Sequence, residues 1–356
     1  MLKRSLVLSE PFVLENGQQL PQLEIAYHIE GDLDDQDAKV IWVCHPLTAN
    51  SNPFEWWEGM FDGEDGLLST NDHYVAICVN MLGSPYGTTN PFSIAEDGEP
   101  YFHRFPKFTI RDMARVYQRV KEALKISKID LLIGASIGGQ QALEWAIQKP
   151  NDIENLVLIA SNAKHSAWGV AFNESQRLAI EADGTWKESN ADAGAQGLKA
   201  ARSIALLSYR NHTVYNKTQD DEQSLDKEAL KAQSYQRYQG EKLVGRFNAF
   251  SYYRLSQAMD SQNVGRDRDD VNTALSLVKA RTLVISMKDD LLFPVEEQLL
   301  LAREIPDAQW TEIDTLYGHD GFLVDTELVK LEIKKFIKTE TLDSGETFSA
   351  GQILNY

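Results

Sequence analysis

The chain has 356 residues, of which 43% are hydrophobic, and its formal net charge at pH 7 is −18. This composition is typical of a globular protein, and the length suits one large α/β domain that carries an insertion. The negative charge argues against a nucleic-acid-binding surface, so no nucleic-acid partner is expected, and an anionic ligand would need a local basic pocket.

Cysteine content and hydropathy indicate the cellular compartment. The two cysteines, Cys44 and Cys78, fall within predicted strands, so the sequence implies no disulfide framework and suits a reducing environment. No stretch reaches the roughly 18 consecutive apolar residues of a membrane-spanning helix. The charged start at residues 1–4 is not followed by a signal-peptide core. We therefore expect a cytoplasmic protein with no membrane partner.

The first part of the chain alternates predicted strands with a predicted helix. Residues 20–29 alternate between apolar and polar side chains, which indicates an early, half-exposed antiparallel strand. Residues 39–44 and 74–79 are continuous apolar runs, the pattern of strands buried on both faces. Residues 109–112 form a capping box at the start of a helix that extends to about Lys125.

A serine lies between a predicted buried strand and a predicted helix. Gly134, Ser136 and Gly138 form the pattern G-x-S-x-G. Where a strand turns sharply into a helix, the serine backbone is strained and side chains two positions away would collide, so glycine is needed there. The turn exposes the Ser136 hydroxyl and places the N–H of Ile137 at a helix N-terminus, where it can stabilise an oxyanion.

The alternation of strands and helices is interrupted once. Another buried strand is predicted at residues 155–160, and residues 162–277 then read as helices with no convincing strand. The sheet resumes at 281–286 and 309–313, and a helix near 326–337 closes the core. These patterns predict an α/β fold with a mostly parallel central sheet and helices on both faces.

The predicted domain division follows from this interruption. Residues 1–161 and 278–356 are assigned to the α/β core, and residues 162–277 to a helical insertion that forms a lid. The tail from residue 338 to 356 is loosely held in this prediction, although it contains apolar residues that could dock on the core, namely Phe348, Ile353 and Leu354.

A nucleophilic serine needs a histidine as general base and a carboxylate that orients the histidine. Of the seven histidines, His319 follows the last predicted strand, and Asp289 and Asp290 follow the strand before it. The chain order serine, acid, histidine is that of α/β-hydrolases, so a triad with Ser136 is predicted. The pattern leaves the choice between the two aspartates open. His45 is the main alternative base, but its position after the first buried strand better suits an oxyanion segment.

Several further sequence blocks accompany the G-x-S-x-G pattern. They are Cys44-His-Pro-Leu-Thr48, Asn80-Met-Leu-Gly-Ser-Pro-Tyr-Gly-Thr-Thr89, Phe105-Pro-Lys-Phe-Thr-Ile-Arg-Asp112, Gln141-Ala-Leu-Glu-Trp145, Ala171-Phe-Asn-Glu174, Arg237-Tyr-Gln-Gly240, Arg246-Phe-Asn-Ala249 and Tyr317-Gly-His-Asp320. With these blocks the chain, from about residue 20 to 340, resembles the homoserine O-acetyltransferases of methionine biosynthesis, members of the α/β-hydrolase superfamily.

The resemblance implies a reaction and the residues that carry it. An acetyl group would pass from acetyl-CoA to L-homoserine by a ping-pong mechanism through an acyl-serine at Ser136. Asp290 and His319 would complete the triad, since the family's Asp-x-Leu-Phe-Pro spacing selects the second aspartate. The N–H groups of Leu47 and Ile137 would form the oxyanion hole. No metal and no bound cofactor are implied, because acetyl-CoA serves as the acyl-donor substrate.

The resemblance also implies substrate-binding residues on the insertion and beside the histidine. Arg202 and Tyr209 match an arginine and a tyrosine that shape the homoserine pocket, and Asp320 matches an acid that holds the substrate amino group. Thr48 ends the oxyanion segment and is included in the substrate site. A substrate with one carboxylate and one ammonium group calls for a buried cation and a buried anion. The alternative is that Arg202 only pairs with surface acids.

The chain departs from the family pattern at several positions. Residues 49–52 read Ala-Asn-Ser-Asn where Thr-Gly-Asp is common, Pro46 stands where alanine is commoner, and Ile137 stands where methionine is usual. The departures leave the acyl donor and the acceptor open, since related enzymes use succinyl-CoA or accept serine. The resemblance further implies a homodimer formed through the insertion.

Two other classes of protein fit the same residues. An esterase or thioesterase would use the same triad for hydrolysis, because only the lid decides whether water or an alcohol reaches the acyl-serine. A non-enzymatic scaffold on an inactive hydrolase fold is the least favoured alternative, because the serine, acid and histidine are all present.

Overall fold

The computed structural model describes residues 1–71, 73–221 and 230–339. Its strands are β1 Leu2–Leu8, β2 Phe12–Val13, β3 Gln19–Leu20, β4 Leu23–Glu30, β5 Lys39–Cys44, β6 Tyr74–Val79, β7 Ile129–Ala135, β8 Ile153–Ile159, β9 Arg281–Met287 and β10 Ala308–Ile313. Its α-helices are α1 Pro53–Trp56, α2 Ile110–Ala123, α3 Ile137–Gln148, α4 Ala167–Glu181, α5 Ala195–Tyr209, α6 His212–Gln219, α7 Lys231–Val244, α8 Ala249–Asp260, α9 Val271–Leu275, α10 Val295–Glu304, α11 Gly321–Val324 and α12 Thr326–Thr339. Short 3₁₀ helices cover Leu68–Thr70, Phe102–Arg104 and Gly318–Asp320.

Eight strands form one sheet in the order β1-β4-β6-β5-β7-β8-β9-β10. Six neighbouring strands of this sheet run parallel, namely β6, β5, β7, β8, β9 and β10. Strand β4 pairs antiparallel with both β1 and β6. The predicted α/β fold with a mostly parallel sheet is therefore confirmed. In the register of β5 and β7, Cys44 lies opposite Gly134. The segments that follow these two strands consequently leave the sheet side by side at its carboxyl edge.

Helices cover both faces of the sheet. Side chains of α2, α3 and α10, such as Met113, Leu143 and Leu301, belong to the apolar core on one face. Ile333 of α12 and Trp57 belong to the core on the other face. Burial on both sides explains why the central strands consist of continuous apolar runs in the sequence.

The interruption predicted between two strands of the sheet is present in the structure. Helices α4 to α9 lie between β8 and β9, and the described residues of this segment contain no strand, only an isolated bridge between Lys164 and Asn263. Within the predicted helical segment, α7 begins at Lys231, and residues 222–229 lie outside the described residues.

The N-terminal part of the sheet differs from the sequence prediction. Strand β1 was not predicted, because its exposed edge position lets charged side chains such as Lys3 and Arg4 interrupt the apolar pattern. Its partner β4 was predicted as half-exposed, yet most of its N-terminal half is buried, including Leu23 and Ile25.

Three remaining sequence predictions concern the thiols, the tail and the membrane. Both cysteines are buried free thiols, as the absence of a disulfide framework predicted. The C-terminal side chains Phe348, Ile353 and Leu354 lie outside the described residues. No helix among the described residues combines the length and the apolar character needed to cross a bilayer.

Candidate active site

The sharp turn between β7 and α3 fixes the position of Ser136. The Ser136 backbone is in a left-handed conformation, with φ 57° and ψ −127°, which is strained for a residue with a side chain. The two flanking glycines make the turn possible. A Cβ atom on Gly134 would lie 2.3 Å from the carbonyl oxygen of Gly138, and one on Gly138 would lie 2.1 Å from the carbonyl oxygen of Cys44.

The structure brings the three predicted triad residues together. The Nε2 atom of His319 lies 3.0 Å from the Ser136 hydroxyl oxygen, and its Nδ1 atom lies 2.7 Å from Oδ2 of Asp290. All three residues are buried. Because a carboxylate only accepts, Nδ1 carries the proton, and Nε2 is left free to accept the hydroxyl proton of Ser136.

Backbone donors decide between the two adjacent aspartates. The second carboxylate oxygen of Asp290, Oδ1, accepts hydrogen bonds from the N–H groups of Leu292 and Phe293, each at 2.8 Å. These bonds hold the other oxygen against the histidine. Asp289 instead accepts a hydrogen bond from the side chain of Asn211 at 3.0 Å. The geometry therefore places Asp290 behind the histidine, the choice that pattern alone had left open.

Aromatic rings hold the imidazole of His319 in place. The ring of Phe293 stacks on it at a centroid distance of 5.2 Å, and Phe322 packs edge-on at 5.4 Å. Tyr209 of α5 contacts it from the insertion at 5.6 Å. Burial raises the pKa of the Tyr209 hydroxyl, so this ring stays neutral.

A cavity of about 510 Å³ opens above Ser136 and is lined by both the core and the insertion. Every residue that was predicted to take part in catalysis or binding lines it, except for the buried Asp290 and Ile137. Further lining residues that sequence reasoning had not assigned include Trp56, Tyr86, Lys242, Arg246 and Leu323.

The two predicted oxyanion donors are the backbone N–H groups of Leu47 and Ile137. Ile137 is the first residue of α3, so its N–H has no acceptor within the helix. Among the described residues, neither this group nor the N–H of Leu47 has a hydrogen-bond acceptor. Leu47 lines the cavity, and Ile137 directly follows Ser136, which also lines it. The segments that carry the two N–H groups leave the sheet side by side, because Cys44 at the end of β5 lies opposite Gly134 of β7.

His45, the alternative base in the sequence analysis, does not contact Ser136. Its Nδ1 atom lies 2.9 Å from the carbonyl oxygen of Pro46, and its Nε2 atom accepts the N–H of Met81 at 3.0 Å. These partners require a neutral ring protonated on Nδ1. Complete burial agrees with this, since it lowers the pKa of His45 to about 4.

The hydrogen bond from His45 sets the direction of one peptide group. In a trans peptide the carbonyl and the N–H point in opposite directions. The Pro46 carbonyl accepts from the His45 ring and also from the N–H of Ala49 at 3.1 Å. The N–H of Leu47, in the same peptide group, therefore points away from the His45 ring.

Arg202 on α5 is a cation with no anionic partner in the part of the chain that the structure describes. It lies over the ring of Tyr209, with its guanidinium carbon 5.5 Å from the ring centroid, and it lines the cavity. No carboxylate within the described ranges lies within ion-pair distance of it. The alternative that Arg202 pairs with surface acids is thus not what the described residues show.

Asp320, the residue after His319, forms an ion pair with Arg210. Its Oδ2 atom accepts a hydrogen bond from Nε of Arg210 at 3.0 Å, and the pair is mostly buried. Its second oxygen is available to the cavity that Asp320 lines. Arg210 was not assigned in the sequence analysis, because nothing in its local pattern links it to a residue 110 positions away.

Thr48 lies at the cavity wall, where both of its oxygen atoms contact Arg246. The Thr48 carbonyl accepts from this arginine, and its hydroxyl oxygen lies 3.3 Å from Nη2. The arginine also donates to the hydroxyl of Tyr86 at 2.7 Å. Arg246 begins the block Arg246-Phe-Asn-Ala249, whose pattern by itself assigns no role to the arginine.

One surface cluster combines two carboxylates and an imidazole, the side chains from which metal sites are built. Asp35, Asp37 and His73 bring potential ligand atoms within 4.8 Å of one another outside the cavity. His73 and Asp35 form a hydrogen bond at 2.8 Å, which accounts for their proximity. The group carries no link to the serine chemistry.

Comparisons with known proteins identify the family and the fold of the chain. Residues 39–326 match the family model of the alpha/beta hydrolase fold. The homoserine O-acetyltransferase of Cyclobacterium marinum is 41% identical over 328 residues, which cover 92% of this chain and 93% of that protein. The homoserine O-acetyltransferase of Chlorobaculum tepidum is 41% identical over 340 residues, which cover 94% and 95%.

Solved structures share the fold over almost the whole chain. The homoserine O-acetyltransferase from Staphylococcus aureus superposes with a TM-score of 0.79 at 27% identity and covers 94% of this chain and 95% of its own. Esterase E22 superposes with a TM-score of 0.86 at 22% identity and covers 94% and 99%. At this lower identity, the esterase shows the fold alone.

Proposed function

The chain belongs to the homoserine O-acetyltransferase family of the α/β-hydrolase fold, and on this premise we propose that it transfers an acetyl group from acetyl-CoA to the hydroxyl group of L-homoserine. The reaction proceeds through an acyl-enzyme on Ser136. The observation that carries the proposal is that Ser136 and Arg202 line one cavity, and that Arg202 has no carboxylate partner among the described residues. A hydrolase needs no such cation, whereas an amino-acid acceptor brings a carboxylate that requires one.

In the first half-reaction, Nε2 of His319 takes the hydroxyl proton of Ser136 as the oxygen attacks the thioester carbonyl carbon. The distance of 3.0 Å between the two atoms suits this transfer. The tetrahedral intermediate then collapses and the carbon–sulfur bond breaks. The leaving sulfur accepts from the imidazolium the proton that came from Ser136. Coenzyme A leaves as a thiol, and Asp290 stabilises the imidazolium throughout.

The oxyanion of each tetrahedral intermediate is bound by the N–H groups of Leu47 and Ile137. Their lack of other acceptors among the described residues supports this role. An oxyanion donor typically contributes roughly 3 to 4 kcal/mol to transition-state stabilisation. The stabilisation depends on the direction in which the N–H points. The hydrogen bond between His45 and the Pro46 carbonyl orients the peptide group that contains the Leu47 N–H, so it affects both half-reactions.

In the second half-reaction, His319 takes the proton of the homoserine hydroxyl, and the resulting nucleophile attacks the acyl-serine carbonyl. The bond to the Ser136 oxygen then breaks, the serine regains its proton, and O-acetylhomoserine leaves. Arg202 binds the carboxylate of the acceptor, and Tyr209 holds the guanidinium in place. Asp320 binds the ammonium group through the oxygen that Arg210 does not use. Thr48 shapes the cavity wall.

Helices α4 to α9, here assigned to residues 162–277, act as a lid on a core formed by residues 1–161 and 278–356. The placement of Arg202, Tyr209 and Arg246 at the cavity supports this, because each comes from the insertion. A cavity closed by these side chains restricts water near the acyl-serine, so that the acyl group waits for the amino acid. The esterase alternative lacks a comparable supporting observation.

The chain forms a homodimer through the insertion. Leu178 of α4 and Leu207 of α5 are each 55% exposed on helices that pack against each other, and Trp168 and Tyr238 add further exposed apolar surface. Such surface is typical of an interface. The two buried free thiols support a reducing compartment such as the cytoplasm.

Incubation with acetyl-CoA tests the transferase activity. We expect thiol release to depend on L-homoserine and O-acetylhomoserine to appear in equal amount by mass spectrometry, because the cavity favours the amino acid over water. Ser136→Ala is expected to fold but to form no acyl adduct. Thiol release that ignores homoserine and yields no acetylated product would show a hydrolase. Succinyl-CoA and L-serine in the same assay test the donor and the acceptor.

A matched pair of substitutions tests the orientation of the Leu47 N–H. His45→Asn keeps a donor near the position of Nδ1, whereas His45→Gln reaches only the position of Nε2. We expect His45→Gln to slow acylation and transfer by about tenfold each, since both intermediates use the same donor. His45→Asn should retain most of the activity. Equal losses in both variants, together with a lower unfolding temperature, would instead indicate a packing role.

Substitution of Arg202 tests acceptor binding. Arg202→Ala is expected to raise KM for L-homoserine about tenfold or more, because a charge-assisted contact to the carboxylate is lost. Single-turnover thiol release from acetyl-CoA should change much less. Arg202→Lys should recover part of the loss. A similar decrease in both half-reactions would argue against binding of the carboxylate.

Sedimentation velocity tests the dimer. Leu178→Asp is expected to shift the protein from dimer to monomer at micromolar concentration, because a charge would be buried in the interface. Leu331→Asp provides the matched control, since this leucine is 48% exposed on α12 outside the insertion. A wild-type protein that sediments as a monomer would contradict the proposal.

A further inference from the structure

Two exposed cations lie at the solvent end of the cavity. Lys242 is in the last turn of α7, and Arg246 follows the end of that helix. Both side chains line the same cavity as Ser136, yet both are exposed, whereas the serine is buried. We name these two residues the basic rim.

The basic rim lies in a cavity that Glu55 and Asp320 also line, but no acidic side chain of the described residues forms an ion pair with it. Within the described ranges, neither Lys242 nor Arg246 has a carboxylate oxygen within 4.0 Å. Two other cations of the insertion do have carboxylate partners: Lys199 lies 2.6 Å from Glu241, and Arg177 lies 2.6 Å from Asp260. In a chain with 53 acidic and 35 basic residues, two neighbouring cations that have no carboxylate partner among the described residues form a local positive patch at the cavity mouth.

The acyl donor makes such a charge useful. Coenzyme A carries several phosphate groups, and a protein with a net charge of −18 repels them. The thioester must reach Ser136 at the cavity floor, and a long pantetheine arm separates it from the phosphates. The phosphates therefore stay towards the exposed end of the cavity, where the basic rim lies.

We propose that Lys242 and Arg246 form an anion subsite that binds the phosphate groups of the coenzyme A portion of the donor. This inference rests on the proposed function and adds the recognition of the donor to it. Different cations would then bind the anionic groups of the two substrates. Half-exposed Arg202 binds the carboxylate of the acceptor, and the exposed basic rim binds the phosphates of the donor.

The two rim residues differ in what else they hold. Arg246 donates to the Thr48 carbonyl and to the Tyr86 hydroxyl, so it also braces the segment that carries the Leu47 N–H. Its removal would disturb the chemistry with any donor. Lys242 makes no such contact among the described residues, so it is the position at which phosphate recognition can be tested separately.

The experiment compares acetyl-CoA with the acetyl thioester of N-acetylcysteamine, which lacks phosphate groups. For Lys242→Ala we expect kcat/KM for acetyl-CoA to fall about fivefold relative to that for the short thioester, the size of one exposed charge contact. Lys242→Glu should enlarge the effect. The loss should appear in KM and diminish at high ionic strength, because salt screens exposed charges.

Lys217→Ala is the matched control, because this exposed lysine of α6 lies outside the cavity and its removal changes the net charge equally. It should leave the ratio between the two donors at the wild-type value. The inference would be overturned if the ratio of kcat/KM between the two donors were unchanged in Lys242→Glu, or if it changed as much in Lys217→Ala. Formation of O-acetylhomoserine would still support the proposed function in that case. If neither donor yields O-acetylhomoserine with the wild-type protein, the proposed function fails as well.

Discussion

The left-handed backbone at Ser136 is the constraint on which the site depends. A residue with a side chain adopts such a conformation only where the surrounding structure enforces it. Here the enforcement comes from the end of β7, the start of α3 and the close approach of the Cys44 carbonyl, which leaves no room for a side chain at Gly138. The strain positions the hydroxyl against His319 and places the first N–H of α3 beside the hydroxyl.

The insertion supplies what the core lacks. A hydrolase-fold core with a serine, a histidine and an aspartate can acylate and can hydrolyse, but nothing in the triad selects an amino acid as the acceptor. Arg202 and Tyr209 come from α5, and the basic rim comes from the end of α7. In an acidic chain these cations concentrate positive charge in one cavity, which fits a reaction between two anion-bearing substrates.

The contacts around the cavity link the insertion to both catalytic loops. Arg210 holds Asp320 beside the histidine, and Asn211 holds Asp289 beside the triad acid. Arg246 holds the segment that precedes helix α1 through the Thr48 carbonyl. Each contact joins residues far apart in the chain and links the insertion to the segments that carry Asp290, His319 and Leu47.

The sequence by itself determined the parallel sheet, the helical interruption, the serine turn and the order of the triad. These features follow from local rules, because apolar runs report buried strands and glycine spacing reports a strained turn. It also supplied, through family resemblance, the candidate roles of Arg202, Tyr209 and Asp320. Edge strand β1 was not predicted, because its exposed side chains do not form an apolar pattern in the sequence.

Only the tertiary structure decided the contacts between distant segments. It selected Asp290 over Asp289 by backbone hydrogen bonds, gave His45 the role of orienting a peptide group, and paired Asp320 with Arg210. It also brought Arg202, Lys242 and Arg246 to one cavity, where none of them has a carboxylate partner among the described residues. The physical reason is that a hydrogen bond or an ion pair depends on distance in space, and residues 110 or 183 positions apart along the chain carry no local pattern that records their contact.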